Sequence, residues 1–217
     1  EKAILSIRQC AKNDSSYRVE AIALQMLGKV KDRDSFAFLE SSISRKSHNA
    51  MAQTAIYNAL AELEDEKSWD YLIRGAEYGA HRNSRQAAMR ALAKLAHRYP
   101  YRKVEVVEHL TRFAHEKRGT PAATFRGKLG AIMAMKQLDD LSVVPALRQI
   151  VDNETDGRLQ RRAEDTISYL RESAKKPKEM KEIRSELDSV ITENKLLRER
   201  MNIIEKKHAA KTRKKKG

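Results

Sequence analysis

The chain contains a single cysteine, Cys10, among its 217 residues. It can therefore form no internal disulfide and no thiolate cluster around a metal ion, and we expect a reducing, cytoplasmic setting. Aromatic residues make up only 6% of the sequence, with 8 glycines and 4 prolines, which is typical of long helical or repeat proteins. No apolar run approaches the roughly 20 residues of a membrane-spanning helix, so we expect no membrane span.

Catalytic and cofactor-binding patterns are missing as well. No Gly-rich phosphate loop and no Gly-x-Ser-x-Gly elbow occurs. His115 and Glu116 begin a zinc-peptidase motif, but Gly119 stands where the second histidine ligand is needed. The sequence therefore predicts a chain without catalytic residues, bound metal or cofactor.

A repeat dominates the rest of the sequence. Two apolar positions recur with the same gaps of 33, 32, 43 and 32 residues. They are Leu27, Leu60, Leu92, Met135 and Ile167, and, three residues later, Val30, Leu63, Leu95, Leu138 and Leu170. Such spacing is typical of stacked helical hairpins, since no single hairpin can bury its own apolar face. We predict an all-α fold, a right-handed α-α superhelix of about five hairpins over residues 1–173.

Each repeat is predicted to consist of two antiparallel helices. The predicted pairs are 3–12 with 17–30, 36–45 with 50–63, 69–78 with 84–97, 104–116 with 124–138, and 143–151 with 158–170. Acidic residues follow the second helices and basic residues open them, at Asp32, Asp65 and Asp140 and at Arg18, Arg85, Arg126 and Arg158. This pattern resembles the HEAT family in its short variety, which implies that an Asp after one helix pair faces an Arg on the next.

The gap of 43 residues contains two excursions, at 98–103 and 117–121. One interpretation is a longer loop that bends the superhelix. The other is a binding loop, because loops on rigid scaffolds often carry contacts. In that case Tyr99 and Tyr101, beside basic residues, would stack on a base or hold an acidic peptide.

A second periodicity follows the solenoid. After a linker at 174–179, apolar residues recur over 180–208 at intervals that alternate between three and four residues. This spacing predicts a coiled-coil helix. Its predicted interface consists of Leu187, Val190, Asn194, Leu197, Met201 and Ile204. An amide at position 194 favours a parallel homodimer, because it meets its copy across the seam. The alternative is one long helix folded back on the solenoid.

Positive charge is the last sequence feature. The formal net charge is +14, and residues 209–217 form a basic tail. Basic solenoids bind phosphate backbones through a positive groove, so a nucleic-acid-binding module is the alternative function. The candidate contacts to an anionic partner are Arg126, Arg158, Arg162, Lys214, Lys215 and Lys216.

Residues 156–164 look like the final HEAT repeat of M1-family zinc metallopeptidases, and Arg126, 138–140 and 145–147 also have counterparts there. The resemblance implies that the chain is the C-terminal helical domain of such an aminopeptidase, with every catalytic residue upstream. The predicted function is a non-catalytic scaffold. Its partner would be a protein on the concave face or an upstream catalytic domain, and it would dimerise through residues 180–208.

Overall fold

The computed structural model describes residues 2–32, 34–175, 183, 185–198 and 201. Across these ranges the ordered elements are helices, and none of the described residues forms a strand. The helices of residues 2–175 are α1 (Lys2–Asn13), α2 (Tyr17–Val30), α3 (Ser35–Ser42), α4 (Met51–Leu63), α5 (Ser68–Ala76), α6 (Arg82–Arg98), α7 (Lys103–Ala114), α8 (Pro121–Leu138), α9 (Val144–Asn153) and α10 (Gly157–Lys175). The predicted all-α fold built from helix pairs is confirmed.

Three helix boundaries differ from the predicted ones by three or more residues. Helix α8 begins at Pro121 rather than at residue 124. Helix α3 ends at Ser42, and the hydroxyls of Ser41 and Ser42 both donate to the carbonyl of Phe38. Serine hydroxyls in such positions compete with the helical hydrogen bonds. Helix α10 continues to Lys175, so residues 174 and 175 are helical although the linker was predicted to begin there. Residues 176–179 lie outside the described ranges.

The first apolar register forms the core. Its five members, Leu27, Leu60, Leu92, Met135 and Ile167, are all buried. In the second register Leu95, Leu138 and Leu170 are also buried, whereas Val30 is 40% exposed. The repeat spacing therefore identified the core side of the second helices, with an exception in α2.

The second helices of the first four repeats, α2, α4, α6 and α8, are called the B helices here. They pack side by side in that order. Small residues make the close approach possible, because a Cβ on Gly28 of α2 would lie 2.5 Å from the Cα of Ala59 in α4. A Cβ on Gly130 of α8 would lie 2.8 Å from Cγ of Gln86 in α6. The B helices thus form one layer that presents periodic side chains.

The chain divides into two compact units, residues 1–171 and residues 172–217. In the second unit, residues 185–198 are helical and their side chains are exposed.

Candidate interaction surface

A polar position recurs seven residues before each member of the first apolar register. It is occupied by Glu20, Gln53, Arg85, Lys128 and Gln160, which have the same gaps of 33, 32, 43 and 32 residues. Each side chain reaches a segment that joins the two helices of a repeat. Sequence reasoning missed this set, although the spacing could have revealed it.

Two members of the set bind the joining segment of their own repeat. The amide of Gln53 donates to the carbonyl of Arg45. The amide of Gln160 donates to the carbonyls of Glu154 and Val151, at 2.7 Å and 3.2 Å. These bonds satisfy carbonyls at the ends of α3 and α9 that the helices leave free.

Three members form ion pairs with the joining segment of the next repeat. Arg45 Nε lies 2.9 Å from Glu20 Oε1, and Arg85 Nη2 lies 2.5 Å from Glu116 Oε2. Lys128 Nζ pairs with Glu154. The pairs connect neighbouring repeats at the N-terminal ends of α2, α6 and α8 and hold these helices in register.

The pair of Arg85 and Glu116 is buried, since each side chain is only 8% exposed. The Nε of Arg85 also donates to the carbonyl of Ala76 at 2.7 Å, and its guanidinium lies 5.4 Å from the ring centroid of Phe113. A buried charge requires such partners because desolvation costs several kcal/mol per ion. Glu116, which stood in the incomplete zinc motif, therefore has a structural role.

The ion pairs and burial shift several pKa values. The hydrogen bond from Lys128 lowers the pKa of Glu154, against the opposing effect of burial. Burial raises the pKa of Glu20, although Arg45 opposes that shift. Burial, followed by the nearby charge of Lys128, lowers the pKa of His115. Both effects favour the neutral form of His115.

The Asp–Arg pairing implied by the HEAT resemblance is wrong for the described residues. Asp32 pairs with Arg8 of its own repeat, and Asp140 Oδ2 lies 3.3 Å from Lys103 Nζ. Asp65 accepts a hydrogen bond from the backbone nitrogen of Lys67 at 2.9 Å. Asp32, Asp65 and Asp140 thus form contacts just after α2, α4 and α8. Arg85, near the start of α6, pairs with Glu116 instead.

The exposed side of the B helices carries a second periodic set of polar residues. Gln25, Asn58 and Arg90 occupy equivalent positions in α2, α4 and α6, 33 and 32 residues apart. All three line one groove, and Gln25 and Arg90 also line the groove beside it. None of these three side chains forms a hydrogen bond or ion pair with another described residue. Their donors and acceptors are free to bind a partner.

Charged residues stand four positions further along the same helices. They are Lys29, Glu62 and Lys94, and Lys94 pairs with Glu62. Within the described part of the chain Lys29 and Arg90 form no ion pair, so the groove has an excess of positive charge. We call the surface formed by Gln25, Lys29, Asn58, Glu62, Arg90, Lys94 and Gln137 the B-helix surface.

The tyrosines of the 98–103 excursion pack against the preceding repeat. Tyr99 donates its hydroxyl to the carbonyl of Glu64 at 2.8 Å, and Tyr101 donates to Glu66 Oε1 at 2.6 Å. Arg102 lies 4.6 Å from the ring centroid of the buried Trp69. Both hydroxyls form hydrogen bonds within the chain, which favours the structural interpretation of this loop, while the side chain of Tyr101 stays 67% exposed.

The predicted anionic-partner contacts do not form a cluster of free cations. Arg158 binds Asp156 through two side-chain bonds of 2.7 Å and 3.0 Å and lies 4.2 Å from the ring centroid of Phe125. Arg126 and Arg162 are exposed. Lys214, Lys215 and Lys216 lie outside the described residues.

The predicted coiled-coil positions Leu187, Val190, Asn194, Leu197 and Met201 are exposed in the described part of the second unit. The amide of Asn194 donates to the carbonyl of Val190 in its own helix at 3.2 Å. Ile204 lies outside the described residues. The described apolar positions of the predicted interface therefore lie on a helix, and their side chains are exposed.

The described residues form neither a metal-ligand cluster nor a membrane-spanning helix. Within the described ranges, no three His, Cys, Asp or Glu side chains come together in a way that would hold a metal ion. Every helix in these ranges is too short or too polar to cross a lipid bilayer.

The family model described as HEAT repeats matches residues 4–93, which extend from α1 into α6. No curated protein matches the chain. HEAT-repeat domains are generally non-catalytic and commonly mediate protein interactions. The match and the helical fold together support a HEAT-repeat protein, a helical scaffold or interaction module.

Proposed function

We propose that the chain is a non-catalytic scaffold that binds an acidic protein segment along the B-helix surface. The observation that carries the proposal is the set Gln25, Asn58 and Arg90, which repeats from helix to helix without internal partners. Side chains that only stabilise the fold are normally bonded within it, as Gln53 and Gln160 are.

The spacing of the B helices suits an extended peptide. Packed helices lie about 8–10 Å apart, and an extended chain rises about 3.3 Å per residue. Every third residue of a bound segment would thus meet the next B helix. Amide side chains both donate and accept, which matches the alternating groups of a peptide backbone.

The charge of the groove also supports this proposal. Lys29 and Arg90 supply positive charge for acidic side chains, and such complementarity gives specificity and fast association.

The test measures binding of a fluorescent 15-residue Glu/Asp-rich peptide and of a short DNA duplex at the same salt concentration. We expect the peptide to bind and Arg90→Glu to weaken it at least tenfold, since the substitution reverses a charge in the groove. Arg148→Glu is the matched control, because Arg148 is exposed on α9 and changes charge equally. Equal loss in both variants would contradict a specific groove, and tighter DNA binding sensitive to Arg126 and Arg162 would favour the nucleic-acid alternative.

We also propose that residues 180–208 form the parallel dimer. The exposed apolar side chains of Leu187, Val190 and Leu197 support it, because an uncovered stripe at heptad spacing gains free energy by pairing. The measurement is the mass in solution of the full chain and of a chain ending at Lys175, where α10 ends. A mass that does not halve on truncation counts against dimerisation through this segment.

The link to M1-family zinc aminopeptidases stays a prediction, because the family match is to HEAT repeats alone. An upstream catalytic domain would be a second partner of the scaffold. Mixing the chain with a separately produced M1 catalytic domain and measuring co-elution tests that partnership directly.

A further inference from the structure

Helix α2 carries an exposed apolar stripe on its side away from α4. The stripe consists of Val19, Ile22, Met26 and Val30, with exposed fractions of 41%, 61%, 40% and 40%. We call it the α2 stripe. Its members are three or four residues apart, so they share one side of the helix, opposite the side on which Gly28 meets α4.

The same positions are buried in the next three B helices. The equivalents of Ile22 and Met26 are Ala55 and Ala59 in α4, Ala87 and Ala91 in α6, and Gly130 and Ala134 in α8. All six are buried. Ala59 faces Gly28 of α2, and Gly130 faces Gln86 of α6, so these positions contact the preceding B helix. The α2 stripe continues a stacking interface that the fold already contains three times.

The α2 stripe lacks the polar residues that cover the outer side of a terminal solenoid repeat. A solenoid repeat that faces water usually has a polar outer side, but this side of α2 carries valine, isoleucine and methionine. Ile22 and Met26 are also larger than the alanines and glycine at the inner interfaces. A helix that packs here at the usual distance needs small residues opposite them, because interior packing leaves no room for two large side chains.

The exposed charged residues of α2 are basic. Helix α2 carries Arg18 and Lys29, both exposed, against one acid, Glu20, which is buried. A second copy packed antiparallel on this stripe would bring Arg18 of one copy near Lys29 of the other. Like charges in an interface are unfavourable, whereas acidic flanks on a partner would pair with both.

We propose that the α2 stripe is a docking site for an amphipathic helix with acidic flanks, which stacks on α2 as a further B helix. The docked helix presents small apolar residues to Ile22 and Met26 and acidic residues to Arg18 and Lys29. Lys29 also belongs to the B-helix surface, whereas Ile22, Met26 and Arg18 do not, so the apolar contact distinguishes this interface. It adds a second binding site on the α2 side of the scaffold.

The test uses the full chain and three fluorescent 20-residue helical peptides. The first has an Ala/Leu stripe flanked by glutamates, the second has the same stripe flanked by lysines, and the third keeps the glutamates but has serines in the stripe. We expect the first peptide to bind at least tenfold more tightly than the other two, because both the apolar contact and the charge are required. The third peptide separates docking on α2 from simple attraction of acidic chains to the B-helix surface.

The variant Ile22→Ser/Met26→Ser should lose at least tenfold in affinity for the first peptide. Its melting temperature should fall only slightly, because Ile22 and Met26 are 61% and 40% exposed. Val104→Ser is the matched control, since Val104 is 69% exposed on α7, and it should bind as the wild type does. Equal binding of the first peptide to the double variant would overturn the proposal. So would absence of binding, or a wild-type self-association that the double variant abolishes.

Discussion

Arg85, near the start of α6, forms an ion pair with Glu116, which follows α7 in the next repeat, and both side chains are 8% exposed. The pair joins α6 of one repeat to the segment between α7 and α8 of the next repeat. Removing one partner leaves the other charge buried with less compensation. Arg85 would keep its bond to the carbonyl of Ala76, and Glu116 would keep the exposed Arg118, whose Nη2 lies 2.8 Å from Glu116 Oε1.

We therefore expect Glu116→Leu to lower the free energy of unfolding by about 3–5 kcal/mol. The double variant Arg85→Met/Glu116→Leu should recover most of that loss, since no unpaired charge remains. Urea unfolding of both single variants and the double variant measures the coupling. Additive losses in the double variant would show that the two side chains do not act as a pair.

Leu60→Ala tests the apolar register of the core. Leu60 is fully buried in α4, so truncation should cost about 2–5 kcal/mol of unfolding free energy. Leu141→Ala is the control, because Leu141 is 48% exposed and should cost less than about 0.5 kcal/mol. Equal melting temperatures of the two variants would mean that the register is wrong.

At pH 7, Glu154→Gln and Glu20→Gln should change the stability of the fold in opposite directions. The pKa of Glu154 is lowered by Lys128, so its ionised form stabilises the fold above its usual pKa, and this contribution is lost as the pH falls. At pH 7 Glu154→Gln should cost about 1.5–3 kcal/mol, the range for hydrogen bonds to charged groups. The difference from the wild type should disappear in acid.

Glu20 is the opposite case, because burial raises its pKa. Its ionised form is disfavoured in the fold, so the wild type loses stability as the pH rises through the usual range of a carboxyl group. Glu20→Gln should thus match or exceed the wild type in melting temperature at pH 7 and converge with it in acid. A loss of stability at pH 7 as large as that of Glu154→Gln would contradict the assigned direction.

Gly28→Ala should destabilise the protein even though alanine favours helices. The new Cβ would lie 2.5 Å from the Cα of Ala59, and forcing apart a packed interface costs typically about 1–3 kcal/mol. Gly157→Ala is the control, because its nearest neighbour would be Gln160 Oε1 at 3.9 Å. It should be neutral or stabilising by up to about 1 kcal/mol, as thermal unfolding would show.

Asn194→Leu should make the proposed coiled coil more stable and its oligomeric state less uniform, because the buried amide specifies a dimer at a cost in stability. Analytical ultracentrifugation and thermal melting of both forms measure these two effects. An unchanged mass and melting temperature would mean that Asn194 does not lie in a helix seam.

The sequence alone determined the helix pairs and their core side. Leu27, Leu60 and Leu92 could be identified because an apolar residue at a fixed repeat position depends on local periodicity, which is written along the chain. Pro145 lies in the first turn of α9, where a missing amide costs nothing, so the start of this helix can also be read from the sequence.

Only the tertiary structure decided which charges meet. Arg85 was expected to face an aspartate, but its partner is Glu116, 31 residues further along the chain, and the sequence contains many acids at similar separations. Val30 likewise shares its repeat position with Leu95, yet it is 40% exposed, because none of the helices described in the first unit covers that side of α2. Pairing and coverage depend on the three-dimensional neighbours of a residue, and a one-dimensional period does not specify them.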